Sequence, residues 1–145
     1  MSREYLIEIL EIVNKEPEKL VEFKGNNALK SLFEHAFLPE KKFELPEGVP
    51  PYKEDAGPIG MSPSNFTQEM RKLYIYTKEQ PLNQIRRETL FIQLLESVHP
   101  SEAKVLCAIK DQTLHKMYKN ITADLVSEHG FIPKVVKEKK NGKPG

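Results

Sequence analysis

The chain has 145 residues, of which 39% are apolar and 30% charged, and its formal net charge is +1. That balance excludes a disordered chain, suits one domain able to enclose a core, and argues against a strong electrostatic footprint over the whole body. No apolar run approaches the roughly 18 residues of a membrane span.

The charge is unevenly spread. Residues 1–40 carry five Lys/Arg against eight Asp/Glu, residues 41–133 twelve of each, and residues 134–145 five Lys against one Glu. Only the tail is basic. The first residues, Met1-Ser2-Arg3-Glu4-Tyr5, lack the basic region and apolar stretch of a secretory signal. The single cysteine, Cys107, has no internal partner, which fits a reducing cytoplasm. Set among Val105, Leu106 and Ile109, it reads as a buried, inert thiol.

In chain order, Tyr5, Leu6, Ile9, Leu10 and Val13 fall at i, i+3, i+4 spacing and predict an amphipathic helix. Pro17 opens a short helical turn. Gly25-Asn26-Asn27 breaks it and offers a cap to a helix with Leu29, Leu32, Phe33, Ala36 and Phe37 on one stripe. Residues 39–63 then hold six of the eleven prolines (Pro39, Pro46, Pro50, Pro51, Pro58, Pro63). Missing amide donors and fixed φ rule out a helix or a central strand there. Yet Phe43, Leu45, Val49, Tyr52, Ile59 and Met61 are too many apolar side chains for a solvated linker. The stretch reads as an ordered strap over the helices.

Asn65 with Gln68 resembles a capping box for a helix through Phe66, Met70, Leu73, Tyr74 and Thr77. After Pro81, the apolar residues between Leu82 and Val98 cover more than one face, so this helix is expected to be central and surrounded. Pro100 or Ser101 opens a helix to about Lys110 with Ala103, Val105, Leu106 and Ile109 inward. Thr122 is placed to cap a short last helix that Gly130 stops, with Phe131 folding back. The fold class predicted is all-α: a single domain of about five to six helices over 1–133, with a Pro-rich strap and a flexible basic tail, 134–145.

Chemistry is poorly represented. The four histidines, His35, His99, His115 and His129, show no i, i+3 or i+4 pairing and there is no second cysteine, so no metal is expected. Gly57-Pro58-Ile59-Gly60 lacks an amide that a phosphate cradle would use. No nucleophile with a neighbouring base stands out, and His99 before Pro100 reads as a turn or cap residue. No catalytic residue and no cofactor are predicted.

Two binding surfaces remain. Glu47-Gly48-Val49-Pro50-Pro51-Tyr52-Lys53 is a stiff, extended stretch suited to a protein partner, or else an intramolecular seal. Arg71, Lys72, Arg86 and Arg87, with Tyr74, Tyr76 and the lysine tail, suit a nucleic acid, or else a solvated helix face and core aromatics.

Several stretches resemble a family of small uncharacterised proteins encoded by T-even-like tailed bacteriophages, including phages of marine bacteria. They are Phe43-Glu-Leu-Pro-Glu-Gly-Val-Pro-Pro-Tyr-Lys53, Met70-Arg-Lys-Leu-Tyr74, Ile85-Arg-Arg-Glu-Thr-Leu-Phe-Ile-Gln-Leu-Leu-Glu-Ser-Val-His-Pro100 and Ala108-Ile-Lys-Asp-Gln112. The resemblance spans roughly residues 28–132 and implies a phage accessory protein of the infected cell, or a minor virion component. No established activity comes with it. The leading expectation is a non-catalytic protein in the host cell cytoplasm. It would bind a phage replication or transcription protein, or a host factor, through Pro50, Pro51, Tyr52, Lys53, Arg86 and Arg87. A nucleic-acid accessory protein is the alternative. An enzyme would require a cleft lined by His99, Glu96 or Asp111.

Overall fold

The computed structural model describes residues 6–54 and 65–133, and among these all regular structure is helical. The expected tail at 134–145, and the strap's continuation through Pro58, Ile59, Met61 and Pro63, lie outside the described residues. Helix α1 (Leu6–Lys15) is followed by a 3₁₀ turn at Pro17–Phe23, and α2 (Asn27–Phe37) by another at Pro39–Lys41. Helix α3 (Phe66–Glu69) tightens directly into a 3₁₀ segment, Met70–Tyr76. Then come α4 (Gln84–Ser97), α5 (Pro100–Asp111), α6 (Leu114–Met117) and α7 (Ala123–Glu128).

Local signals account for most of the helix starts. Asn26 Oδ1 accepts from the Leu29 amide, Asn65 Oδ1 from Gln68, Asn83 Oδ1 from Ile85 and Arg86, and Thr122 Oγ1 from Leu125. Each satisfies donors that a first helical turn leaves without a partner. His99 caps α5: its Nδ1 accepts from the Ser101 amide, while Glu102 Oε1 reaches back to the His99 amide at 3.0 Å. This reciprocal box occupies both side chains. Gly130, at φ +81°, ends α7 in a left-handed turn, with the Gly130 amide on Ser127 O and the Phe131 amide on Val126 O. Phe131 is thereby turned inward, edge-on to Phe33 at 5.4 Å.

The centre is α5, not α4. Helix α5 buries Glu102, Ala103 and every residue from Val105 to Lys110, and it packs on α2, α4 and α6. Its small residues Ala103, Cys107 and Ala108 let neighbours approach closely on several sides. Helix α4 buries one face only: Arg87, Phe91, Leu94 and Leu95. Ile85 is 76% exposed, and Leu90 and Ile92 are half-buried. The expectation of a surrounded α4 is therefore corrected: Leu90 packs on the core only at its edge, Ile92 borders a hollow, and Ile85 faces outward. The helix expected from Phe66 to Thr77 is likewise mostly 3₁₀, which stacks side chains three apart and buries Met70, Leu73 and Tyr76 in one row.

One strained residue, Gln112, and one orphaned group, on His35, meet where α5 closes on α2. Gln112, following α5, sits at φ +55°, a conformation that costs a side-chain-bearing residue about 1 kcal/mol. Its Nε2 donates to His35 O (3.2 Å) and Leu38 O (2.8 Å), closing the C-terminal end of α2. His35 is buried, its Nδ1 donating to Ser31 O at 2.9 Å, its Nε2 without a partner. Burial, with a smaller contribution from the Lys41 charge, pushes its pKa below the ordinary 6.5 despite the Ser31 carbonyl and the Glu34 and Glu79 carboxylates.

Gln112→Ala keeps the strained backbone and loses two hydrogen bonds, so it should cost about 2 kcal/mol. Gln112→Gly relieves the strain and should cost about 1 kcal/mol less than Ala; urea midpoints compare the two. For His35, the unfolded chain takes up a proton that the folded chain resists. Stability should therefore be full above pH 6.5 and fall below it, and the slope between pH 7.5 and 5.5 should flatten in His35→Gln.

Candidate functional site

The strap begins with an anchor. Phe43, 2% exposed, enters a cluster with His35, Tyr76 and Phe91, its ring centroid 5.3 Å from that of Tyr76 and 5.9 Å from that of Phe91. Burial raises the Tyr76 phenol pKa, with a smaller push from Glu69, and its hydroxyl donates to Leu90 O. The Glu44 amide donates to Tyr76 O at 2.7 Å, and Gln84 Nε2 to Glu44 O at 3.1 Å. Because prolines remove donors from this stretch, its remaining polar groups must be met by side chains from the helices.

Two adjacent residues at the end of α5 meet two of them. Lys110 is 1% exposed, and its ammonium donates to Pro46 O at 2.6 Å and to the Asp111 carboxylate. The second Asp111 oxygen accepts from the Gly48 amide at 3.1 Å. Gly48 turns at φ +94°, where a side chain would be strained. Farther on, the Lys53 amide donates to Glu96 Oε2 on α4 at 2.9 Å. Residues 42–54 are thus an ordered strap from the aromatic cluster, past the end of α5, to the last turns of α4.

The candidate residues Pro50, Pro51, Tyr52 and Lys53 come together on this strap, with unequal exposure. Pro51 and Lys53 are exposed and Pro50 half-buried. Tyr52 is half-buried against the core, and burial raises its phenol pKa, with smaller contributions from Cys107 and Glu54. Val49, which the sequence reading did not choose as a contact, is 70% exposed at the apex just after Gly48. A hollow lies on each side. One, of about 280 Å³, is bounded by the strap, Glu88, Phe91 and Ile92 of α4 and Lys110. The other, about 320 Å³, is bounded by Val49, Tyr52, Lys104, Cys107, Ala108, Asp111, Thr113 and Met117. Cys107 is only 5% exposed and burial raises its thiol pKa despite nearby Lys110, so little thiolate is available.

Arg86 and Arg87 part company. Arg86 is exposed. Arg87, one turn before Phe91 and two before Leu94, shares their inward face and is 7% exposed. Its guanidinium donates to Gln84 Oε1 (2.6 Å) and Gln80 O (3.2 Å), so it ties the α4 start to the preceding turn and is removed from any contact surface. The nucleic-acid set is depleted in the same way. Tyr76 is core, whereas Arg71, Lys72 (3.8 Å from Glu69), Tyr74 and Arg86 stay at the surface. His99, Glu96 and Asp111 do not share a cleft. His99 and Asp111 flank opposite ends of α5, roughly 16–18 Å apart along a helix rising 1.5 Å per residue, while Glu96 holds the strap. Among the described residues no three His, Cys, Asp or Glu side chains gather to hold a metal.

Lys110→Ala would leave the Asp111 carboxylate and the Pro46 carbonyl without their shared cation. It should cost about 3–5 kcal/mol of stability and make residues 42–54 the first site of limited proteolysis. Equal protease resistance in wild type and variant would show that the aromatic anchor alone holds the strap.

No curated protein and no solved structure matches the chain. A protein family does match, from residue 5 to residue 116, a span that takes in α1, the strap, α4 and α5 and ends within α6. On that match over most of its length, the chain belongs to the Family of unknown function (DUF6433).

Proposed function

We propose that the chain is a non-catalytic accessory protein of a tailed bacteriophage that binds a protein partner, phage or host, in the cytoplasm of the infected cell. The observation carrying this reading is the strap apex: an apolar side chain, Val49, exposed on a segment already ordered by the fold and flanked by two hollows. A preformed strap loses little conformational freedom on docking, and that is where binding free energy is otherwise spent. Pro50, Pro51 and Lys53 extend the contact face, and Tyr52 holds it down from beneath.

The phage origin is supported by the likeness of the strap, Met70–Tyr74 and Ile85–Pro100 sequences to small proteins of T-even-like phages. A cytoplasmic site of action is supported by a buried, unpaired Cys107. No described helix is long and apolar enough to cross a membrane. Against the nucleic-acid alternative stand the burial of Arg87 and Tyr76 and the near-neutral body.

The test is affinity capture of the tagged chain from phage-infected cells with nuclease present, comparing wild type with a Val49→Asp, Lys53→Glu double variant. Both side chains are exposed, so stability should stay within about 0.5 kcal/mol of wild type. A nuclease-resistant protein should be captured by wild type and lost from the variant. A partner retained by the variant, or one released by nuclease, would overturn the proposal.

A further inference from the structure

The hollow on the α4 side of the strap is narrow. At about 280 Å³ it sits at the lower edge of the roughly 300–1,000 Å³ of pockets that enclose drug-sized ligands, and it has room for one long side chain. Leu45, Pro46, Pro50, Phe91 and Ile92 give it apolar walls. Two carboxylates also line it, Glu88 half-buried and Glu47 exposed. Among the described residues neither has a lysine or arginine within ion-pair distance, and the contact Glu88 makes is with the Gln84 amide at 2.9 Å. The one cation in the hollow, Lys110, is already neutralised by Asp111 and bonded to Pro46 O. An apolar slot with two uncompensated negative charges is complementary to a long, cation-tipped side chain.

We infer that this hollow receives a basic side chain, arginine or lysine, from the protein partner. The methylene stem lies on Ile92, Leu45 and Pro50, as such stems cover apolar surface while their heads stay polar. The cationic head meets Glu88 and Glu47. Arginine suits the place well, because its planar fork pairs with carboxylates and it is enriched among the residues that dominate interfaces. This inference rests on the protein-partner reading and adds the chemistry of the contact.

The probes are four capped, fluorescein-labelled tetrapeptides, Pro-Leu-X-Leu, with X as arginine, lysine, norleucine or glutamate, titrated by fluorescence anisotropy with the full chain. The arginine and lysine peptides should bind more tightly than the other two, and rising salt should weaken them. Glu47→Gln and Glu88→Gln together should cost about tenfold or more in affinity with thermal unfolding unchanged. Norleucine binding as well as arginine, affinity surviving both substitutions, or no binding of any peptide at millimolar concentration would each overturn the inference. Capture from infected cells separates the two readings. A partner lost with Val49→Asp, Lys53→Glu but retained by the Glu47→Gln, Glu88→Gln chain would retire the basic-side-chain contact and leave the protein-binding proposal standing.

Discussion

An ammonium group denied water must find its acceptors inside the protein, and for Lys110 those acceptors are Asp111 and the carbonyl of Pro46. From this requirement much of the architecture follows. Helix α5 is central, so its last turn emerges beneath other chain instead of into solvent. A lysine there cannot be neutral company for Leu106 and Ile109 unless something polar covers it. The strap supplies that cover, and in exchange Asp111 fixes Gly48 and Lys42 reaches the Lys110 carbonyl. Fold and strap are therefore mutually dependent.

The same logic separates the arginines of α4. Arg87 has been drawn into the interior and spends its donors on Gln84 and Gln80, although its Nε stays without an acceptor. Arg86, one residue earlier and about 100° around the helix, is left in solvent. Adjacent identical residues thus hold unrelated roles, one structural and one at the surface. The strap divides its labour similarly: Phe43 is core, Tyr52 is a half-buried support, and Val49 between them is offered outward.

The parts legible in the sequence are those decided locally. Asn26, Asn65 and Thr122 announce helix starts, Gly130 with Phe131 announces an end, and Pro46, Pro50 and Pro51 announce a stretch that is not helical, although Pro39 opens a 3₁₀ turn where a helix was ruled out. The misplaced centre has a definite cause. The apolar residues between Leu82 and Val98 are spread around the helix, so Ile85 is 76% exposed while Phe91 and Leu95 are buried. Lys110 and Arg87 were hidden by their charge, though spacing marked both: Lys110 is four residues after Leu106, and Arg87 four before Phe91. The long-range ties of the strap and of the α2 end could not be read at all. Lys110 to Pro46 and Gln112 to Leu38 join residues 64 and 74 positions apart, and no local pattern encodes such pairs.

Long-range closure also bears on how the chain is made. The end of α1 is tied to the far end of the protein, where Asn120 donates to Asn14 across 106 residues, and Phe33 waits for Phe131. Ribosomal synthesis delivers residues in order, at about 5–20 per second. The first two helices consequently spend several seconds with an apolar flank uncovered before their partners emerge. That flank stays open until Asn120 and Phe131 have emerged, and only then can the native core close.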